Sequence, residues 1–381
     1  MLERLTTARG ELDLGRYPED ERDTLRAWDA ADEYLLRHLA GREISPEGQV
    51  VLLGDRWGAL ATALAADRPV SRTDSFLGHR AALANLARNG IDPAAVAFRA
   101  PGDPLPEKAG ALLVRVPKSL AALEHGLRAL RPALVPGATV LGAGLVKEIH
   151  TSTLRLFERV IGPTRTSLAE RKARLIFAEY DPDLDPGPDP WPLTYVLDGD
   201  AGPVSGRTVV NHAGVFCADR LDIGTRFLLH HLPVRPGARR IVDLGCGNGV
   251  LGLAAALTHP GAEVVCTDES YAAVESARAT FAANGVAGGV FTAADGIGDL
   301  EPGSCDLVLT NPPFHSHQAT TDAAARRMFA GARRALAPGG ELWVVANRHL
   351  GHHAALRRIF GGCTVAAANP KFTVLRAIRR R

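Results

Sequence analysis

The chain contains the same order of strands and helices twice, and this repetition constrains its fold more than any other feature. Residues 242–286 read as a strand ending in a glycine-rich turn, an alanine-rich helix, a second strand ending in acids, and a helix that stops at Asn284-Gly285. Residues 50–91 have the same elements in the same order and end in a similar Asn-Gly pair. Alternating strands and helices are typical of a doubly wound, mostly parallel sheet. We therefore predict an α/β protein with two tandem Rossmann-like domains.

The correspondence between the copies continues along the chain. The segment GALLVRVPKS at residues 110–119 takes the place of CDLVLTNPPF at residues 305–314. Between the copies, the segment YDPDLDPGPDPWP at residues 180–192 has the Pro and Asp content that is typical of a linker. The predicted organisation is a first domain at residues 1–180, a linker at residues 181–192 and a second domain at residues 193–381.

Only the second copy carries residues suited to chemistry. Where it has DLGCGNG, the first copy has LLGDRWG, which keeps two of the three glycines. Where it has NPPF, the first copy has VPKS, with neither the asparagine nor the aromatic ring. We therefore expect a degenerate N-terminal domain with a binding or scaffolding role, and a C-terminal domain that holds the active site.

The glycine-rich turn predicts a nucleotide-like ligand. Gly245, Gly247 and Gly249 follow an apolar strand and open a helix, so the backbone can approach a ligand and the helix N-terminus offers free amides. Gly247, Gly249 and Gly252 also spell G-x-G-x-x-G, which leaves a nicotinamide dinucleotide as an alternative. Asp243 beside the turn would repel a pyrophosphate, and it suits a ligand with a positive amino group such as the methionine moiety of S-adenosylmethionine.

Two further aspartates follow the next strands. Asp268 ends the second strand of the unit, where a carboxylate can accept hydrogen bonds from both hydroxyls of a ribose. Asp295, in FTAADG after the presumed third strand, is placed to contact an adenine, and a loop cap is its alternative role. Both positions suit an adenosine-containing cofactor.

The NPPF motif follows the next apolar strand. Because proline lacks the amide proton of a ladder, we expect Asn311 at the carboxyl tip of the fourth strand and Phe314 in the loop beyond it. Doubly wound topology places this strand beside the first, facing the cofactor. The Asn311 side-chain oxygen and the Pro312 carbonyl can hold both protons of an exocyclic base amine, while Phe314 stacks on the base. A plain turn is the alternative for Asn-Pro-Pro.

Several classes of protein are disfavoured by the composition. No run of about 18 uncharged apolar residues occurs, and the N-terminus is charged, so we expect neither a membrane span nor a signal peptide and predict a cytoplasmic protein. The five cysteines form no C-x-x-C pair and are expected to be reduced, mostly buried thiols. His315 and His317 lack further ligands nearby in the sequence, and we assign no metal.

Basic residues concentrate at the C-terminal end. Residues 326–381 contain twelve basic residues against the single acid Glu341, a net charge of +11 in a chain whose net charge is +2. Eleven of the twelve are arginines, which grip phosphate and stack on bases. This distribution favours a nucleic-acid partner, with a solvated helix face as the alternative.

Longer phrases of the chain carry a family likeness. In the C-terminal half they are GVFCADRLDIGTRFLLHHLP, DLGCGNGVLGL, NPPFH and VANRHLGHHAALRRIFG, followed by NPKFTVLRAI. In the N-terminal half they are RAWDAADEYLL, VPKSLAALEHGLRAL and IHTSTLRLFERVIGPTRTSLAERKARLI. These phrases resemble the RsmC/RlmG family of ribosomal RNA guanine-N2 methyltransferases. The N-terminal phrases are most similar to its RlmG branch, which methylates guanine 1835 (bacterial reference numbering) of 23S rRNA.

The resemblance implies S-adenosyl-L-methionine as cofactor, two class I methyltransferase domains of which only the second is catalytic, and 23S rRNA in the large ribosomal subunit or its precursor as partner. The catalytic residues that it implies are Asn311, Pro312, Pro313 and Phe314. The cofactor-binding residues that it implies are Asp243, Gly245, Cys246, Gly247, Asn248, Gly249, Asp268, Glu269, Asp295, Gly296 and Asn311, with Phe216 and Thr225 from the stretch ahead of the first strand. The loop ADG around Asp295 is more acidic than the family pattern.

Four alternatives stay open on the sequence. They are the same reaction on 16S rRNA, a protein-glutamine N5-methyltransferase, a non-catalytic RNA-binding ribosome-assembly factor and a nicotinamide-dependent dehydrogenase. The N-terminal phrases disfavour the first, the basic C-terminal segment disfavours the second, and the completeness of the second copy beside the eroded first disfavours the third.

Overall fold

Two compact units make up the chain, Met1–Pro190 and Trp191–Arg381, and the division falls within residues 181–192. The computed structural model describes residues 4–19, 24–44, 47–313 and 318–380.

The first unit is a seven-stranded sheet with helices and a small hairpin. Its strands are β1 (Arg4–Thr7), β2 (Gly10–Asp13), β3 (Gln49–Leu53), β4 (Val70–Arg72), β5 (Ala97–Arg99), β6 (Ala109–Arg115), β7 (Leu134–Leu145), β8 (Thr164–Thr166) and β9 (Ala173–Glu179). Its helices are α1 (Ala30–Leu39), α2 (Ala59–Ala63), α3 (Phe76–Arg88), α4 (Leu120–Leu130) and α5 (Thr151–Val160). The sheet order is β5-β4-β3-β6-β7-β9-β8, and β9 runs opposite to the other six strands.

The second unit repeats this plan. Its strands are β10 (Leu193–Val196), β11 (Thr208–Asn211), β12 (Arg240–Leu244), β13 (Glu263–Asp268), β14 (Gly289–Ala293), β15 (Cys305–Thr310), β16 (Leu336–Asn347), β17 (Thr364–Ala368) and β18 (Phe372–Ile378). Its helices are α6 (Ile223–Leu229), α7 (Val250–Thr258), α8 (Tyr271–Ala283), α9 (Gln318–Ala335) and α10 (His352–Phe360). The order β14-β13-β12-β15-β16-β18-β17 matches the first sheet strand for strand. The prediction of two tandem, mostly parallel, doubly wound domains is confirmed.

The first strand of the second sheet, β12, is buried on both faces, as parallel strands covered by helices usually are. Ile241 packs in the cluster that includes α7 and α8, whereas Val242 and Leu244 pack with α9 and α10. The strand order reverses between β12 and β15, and ligands of doubly wound folds bind outside the carboxyl ends of the strands at such a point. The sheet therefore brings the glycine-rich turn and Asn311 to one crevice.

In each unit an asparagine at a helix end fastens a hairpin to that helix. The Asn284 side chain, which caps α8, accepts from the Thr208 amide at 3.1 Å and donates to the Thr208 carbonyl at 2.7 Å. Asn89 after α3 makes the same pair of bonds with Asp13, at 2.9 and 2.8 Å. The Asn-Gly pairs that end the two helices in sequence are therefore anchors for β11 and β2 as well as helix ends.

The Pro- and Asp-rich segment has no regular structure, but side chains of the first unit bind much of it. Arg131, directly after α4, donates to the Asp181 carbonyl at 3.0 Å. Arg128 of α4 donates to the Gly187 carbonyl at 2.8 Å. The segment up to Gly187 is therefore part of the first unit.

In the ranges that the structure describes, no helix is long and apolar enough to cross a membrane. All five cysteines are free thiols, and Cys246, Cys266 and Cys305 are buried, as predicted.

Candidate active site

The glycine-rich turn joins β12 to α7 and requires glycine for two different reasons. Gly245, Gly247 and Gly249 have φ of +73°, +53° and +77°, which side chains of L-residues rarely adopt. A Cβ at Gly249 would also lie 2.7 Å from the Cβ of Ala277, whereas one at Gly247 would meet no atom within 4 Å. Gly249 therefore lets α7 pack against α8, and Gly247 leaves open space above the turn.

Asp243 lies beneath this turn with one carboxylate oxygen unpaired. Its Oδ2 accepts from the Gly252 amide at 2.7 Å, while Oδ1 is buried and has no hydrogen-bond partner among the described residues. Burial raises the pKa of this carboxyl to about 8, the Gly252 amide opposes that rise, and the charge of Asp268 adds to it. Buried polar atoms are normally paired, so Oδ1 marks a place for a donor or a cation that arrives with a ligand.

Asp268 is at the carboxyl end of β13 and connects to the turn. Its Oδ2 accepts from the Gly247 amide at 2.9 Å and its Oδ1 from the Ser270 amide at 3.0 Å. Burial raises the pKa of the carboxyl, and these backbone amides counteract the rise. The Glu269 amide is a third donor to this carboxylate. A carboxylate has about four acceptor sites, so three amides hold the side chain in place and leave it capacity for a hydroxyl of a ligand.

Seven of the predicted residues line one pocket: Phe216, Thr225, Gly245, Cys246, Gly247, Asn248 and Asn311. Phe216 keeps 53% of its surface exposed. The Asn248 side chain donates to the Asn211 side chain at 3.0 Å, which connects the turn to the end of β11.

The other predicted cofactor-binding residues are not part of this lining. Asp243, Gly249 and Asp268 lie at or next to the turn, as described above, but do not line the pocket. Glu269 follows β13, and Asp295 and Gly296 follow β14; none of the three is among the described residues that line this pocket. Pro312 is buried and Pro313 is exposed, directly after Asn311. Phe314, predicted to stack on the base, lies outside the described residues, as do His315 and His317.

Asn311 directly follows the carboxyl end of β15, and two acceptors hold its amide group. Its Nδ2 donates to the Asp222 carboxylate and to the Thr225 hydroxyl, both at 2.9 Å. A carboxylate can only accept, so the amide nitrogen must be the atom that faces Asp222. The amide oxygen Oδ1 is then buried without a partner among the described residues. The arrangement offers one oriented hydrogen-bond acceptor to whatever enters the pocket.

Asp222 was not among the residues predicted from the sequence, and Thr225 was predicted only as a cofactor contact. Asp222 caps α6 by accepting from the Thr225 amide at 2.8 Å. The Asp-x-x-Thr pattern ahead of an apolar helix signals such a cap. It carries no sign that the same side chain binds Asn311, which is 89 positions away in the sequence.

Comparison with known proteins identifies the family. The RLMG N-terminal domain matches residues 2–182, and the methyltransferase small domain matches residues 206–376. The ribosomal RNA large subunit methyltransferase G of Streptomyces griseus subsp. griseus is 62% identical and covers 100% of both chains. The protein of the same name from Aeromonas salmonicida is 46% identical and covers 99% of both. The chain belongs to the ribosomal RNA large subunit methyltransferase G family. The resemblance seen in the sequence is thereby confirmed, and the chain is a methyltransferase.

One solved structure has the fold of both domains of this methyltransferase. The 16S rRNA N2 G1207 methyltransferase RsmC of T. thermophilus, in complex with AdoMet and guanosine, aligns with a TM-score of 0.72 at 23% identity. The alignment covers 100% of this chain and 98% of that one. This chain and the RsmC structure therefore share the same two-domain fold.

The first unit of the methyltransferase has a counterpart of the Asn311 site. Leu309 is opposite Asp243 in the second sheet, as Leu113 is opposite Leu52 in the first, so Arg115 has the position of Asn311. The alignment of VPKS with NPPF predicted from the sequence is therefore wrong by one residue, because the strand register pairs Val116 with the position of Pro312. Arg115 is fully buried, and its Nη2 lies 2.9 Å from the Asp29 carboxylate.

The counterpart of the glycine turn is also filled in the first unit. Arg56 has the position of Gly247, and its guanidinium pairs with Asp29 at 3.3 Å and with Glu148 at 3.0 Å. Leu52 has the position of Asp243. Ion-paired arginines and an apolar side chain therefore take the positions of the residues that form the site in the second unit. Across the described ranges of both units, no group of three or more His, Cys, Asp or Glu side chains could hold a metal ion.

Proposed function

We propose that this methyltransferase transfers the methyl group of S-adenosylmethionine to the exocyclic N2 of a guanine in 23S rRNA, at the position equivalent to guanine 1835 in bacterial reference numbering. The observation that carries the proposal is the Asn311 amide, whose nitrogen is held by Asp222 and Thr225 and whose oxygen is unpaired. The names of the large-subunit relatives and the AdoMet and guanosine bound by the RsmC neighbour support it.

The residues at the turn fit this cofactor. Asp243 Oδ1 is an unpaired buried acceptor suited to the amino group of the methionine moiety. The Asp268 carboxylate, held by backbone amides at the end of β13, is suited to accept from the ribose. The open space above Gly247 allows close approach to the backbone. The bound sulfonium would supply an electrophilic methyl group that needs no further activation.

The chain's own contribution to the reaction is positioning of the amine. The N2 amine of guanine is a poor nucleophile because its lone pair is delocalised into the ring. Asn311 Oδ1 and the Pro312 carbonyl would accept its two protons, which favours a pyramidal nitrogen and a localised lone pair. Fixed acceptors of this kind act by orientation and by electrostatics, and no strong general base is needed before the attack.

The basic C-terminal surface supports an RNA substrate. Helices α9 and α10 pack through buried residues including Phe329 and Leu356, which leaves arginines on the outside. Four of them are exposed and form no ion pair with a described residue: Arg327, Arg333, Arg357 and Arg358. Such side chains suit phosphate contacts, and the target guanine would have to be single-stranded or flipped out to reach a crevice at a strand tip.

We further propose that the first unit helps to bind the RNA and binds no cofactor. Arg115, Arg56 and Leu52 replace the three residues that the second unit uses for chemistry and for the cofactor. Large-subunit particles or their precursors are the proposed physiological substrate.

The test is transfer of radiolabelled methyl from S-adenosylmethionine to purified 23S rRNA, 16S rRNA and precursor large subunits, followed by nucleoside analysis. N2-methylguanosine from 23S rRNA or from the particle is the expected product. Label in 16S rRNA alone would overturn the large-subunit assignment, and cofactor binding without transfer to any of the three would favour a non-catalytic assembly role.

A further inference from the structure

We propose that Asp222 recognises the guanine base, with its carboxylate Oδ1 accepting the N1–H while Asn311 receives the adjacent N2 amine. This inference rests on the proposed function, and it assigns base selection to a residue that also holds the catalytic amide.

The two oxygens of Asp222 have different surroundings. Oδ2 accepts from the Asn311 amide at 2.9 Å and from the Thr225 backbone amide at 2.8 Å. Oδ1 makes no hydrogen bond with any residue in the described part of the chain. Asp222 lines the same pocket as Asn311, so a second acceptor is available beside the first.

The position of this carboxylate is fixed from several sides. It caps α6, and the helix has a buried glycine two residues after the cap. A Cβ on that residue, Gly224, would lie 3.0 Å from Asp222 Oδ2 and 3.2 Å from the ring of Phe372. Gly224 therefore leaves the space that the carboxylate occupies, and the bonds from Asn311 and Thr225 to Oδ2 set the orientation of its two oxygens.

The Watson–Crick edge of guanine matches two neighbouring acceptors. Guanine presents N1–H and the N2 amine side by side as donors, whereas adenine and cytosine present a ring-nitrogen acceptor next to their amines. A carboxylate opposite such a ring nitrogen would place two lone-pair atoms against each other. Hydrogen bonds that involve a charged group are among the stronger ones, so Asp222 would select guanine among the bases that carry an exocyclic amine.

The variant Asp222→Asn tests this assignment because it changes one atom. Its amide oxygen can replace Oδ2 and keep the bonds to Asn311 and Thr225, which places an NH₂ donor where Oδ1 was. The substrate probe is a 23S rRNA fragment with either guanine or 2-aminopurine at the mapped methylation site. 2-Aminopurine keeps the amine but has an acceptor at N1.

For the wild-type protein we expect kcat/KM to be lower on 2-aminopurine than on guanine by about 10- to 100-fold, the size of a lost charged hydrogen bond. For Asp222→Asn we expect activity on guanine to fall and activity on 2-aminopurine to rise, so that the preference narrows or reverses. The control is Thr225→Val, which removes one acceptor for Asn311 and should slow both substrates equally without changing their ratio.

An unchanged guanine to 2-aminopurine ratio in Asp222→Asn would overturn the assignment and leave Asp222 as a positioning residue alone. A wild-type protein that methylates neither fragment, nor native 23S rRNA or precursor particles, would instead remove the proposed function on which the inference rests. The two failures are therefore distinguishable.

Discussion

Asp29 of the first unit and Asp222 of the second have the same place and the same two tasks in the duplicated fold. Each caps the helix that precedes the sheet, α1 or α6, through a backbone amide at 2.8 Å. Each also binds the side chain at the carboxyl end of a central strand, Arg115 of β6 or Asn311 after β15. A guanidinium only donates hydrogen bonds, so Arg115 cannot receive the protons of an amine. Both units therefore keep the aspartate with its two contacts, and they differ in the side chain that the aspartate binds.

Replacing Asn311 by alanine should remove turnover and leave cofactor binding intact. We expect Asn311→Ala to lower kcat by about 10²- to 10³-fold, as loss of an oriented donor or acceptor commonly does, with less than about a twofold change in the dissociation constant of S-adenosylmethionine. Single-turnover methylation and calorimetric titration measure the two quantities. Loss of cofactor binding together with turnover would mean that the motif only supports the structure.

Cofactor affinity should depend on pH through Asp243. The pKa of its carboxyl is raised to about 8 in the free protein, so at neutral pH it mostly carries its proton, and a cation binds to the ionised form. Affinity should therefore rise by up to about tenfold per pH unit below pH 8 and level off above it.

The control for this pH dependence is Asp243→Asn, which has no proton to release. Titration of the cofactor's own amino group is common to both proteins, so the difference between their calorimetric pH profiles isolates Asp243. Parallel profiles for the two proteins would contradict the prediction.

Two glycines of the turn should respond differently to alanine. Gly247→Ala meets no neighbouring atom and should cost only the left-handed backbone strain, about 1–2 kcal/mol. Gly249→Ala adds a clash with Ala277 and should cost about 1–3 kcal/mol more. Midpoints of chemical denaturation report both. Equal destabilisation by the two substitutions would show that contact with Ala277 does not add to the cost of a side chain at position 249.

RNA affinity should depend on salt through the arginines of α9 and α10. Each phosphate contact contributes about 0.7–0.9 to the slope of log affinity against log salt, so Arg333→Ala combined with Arg357→Ala should lower that slope by about 1.4–1.8. Filter binding to 23S rRNA fragments between low and moderate salt measures it.

The matched control for this pair is Arg278→Ala, an exposed arginine on α8 that is paired with Glu275. It should leave the slope unchanged. If the slope is the same in the double variant and in the wild type, these two arginines do not contact RNA phosphates.

The sequence was sufficient for the features that depend on local order. The turn at Gly245 to Gly249 and the strand ends at Asp268 and Asn311 all follow from short patterns with a direct physical meaning. The two mostly parallel sheets follow from the alternation of strands and helices in the same way.

Contacts between distant segments could not be predicted in this way. The bond between Asp222 and Asn311 joins positions 89 apart, and a cap pattern says nothing about a second partner. The burial of Arg115 was hidden for the same reason, because its partner Asp29 is 86 positions away. Arg131 binds the Asp181 carbonyl, which is 50 positions away in the sequence. The composition of the Pro-rich segment predicted a free linker because it gives no sign of such a contact.

The hairpin that Asn284 fastens to α8 decides where the catalytic half could be cut out as a separate protein. The match to the methyltransferase small domain starts at residue 206, but β10 at Leu193–Val196 pairs with all four residues of β11, and Leu197 lies in the core. A truncated protein that starts at residue 206 would expose the edge of β11 and open a cavity at Leu197, which invites aggregation. A truncated protein that starts at Trp191 retains both strands. We therefore expect it to be expressed in soluble form, and the protein that starts at residue 206 to aggregate.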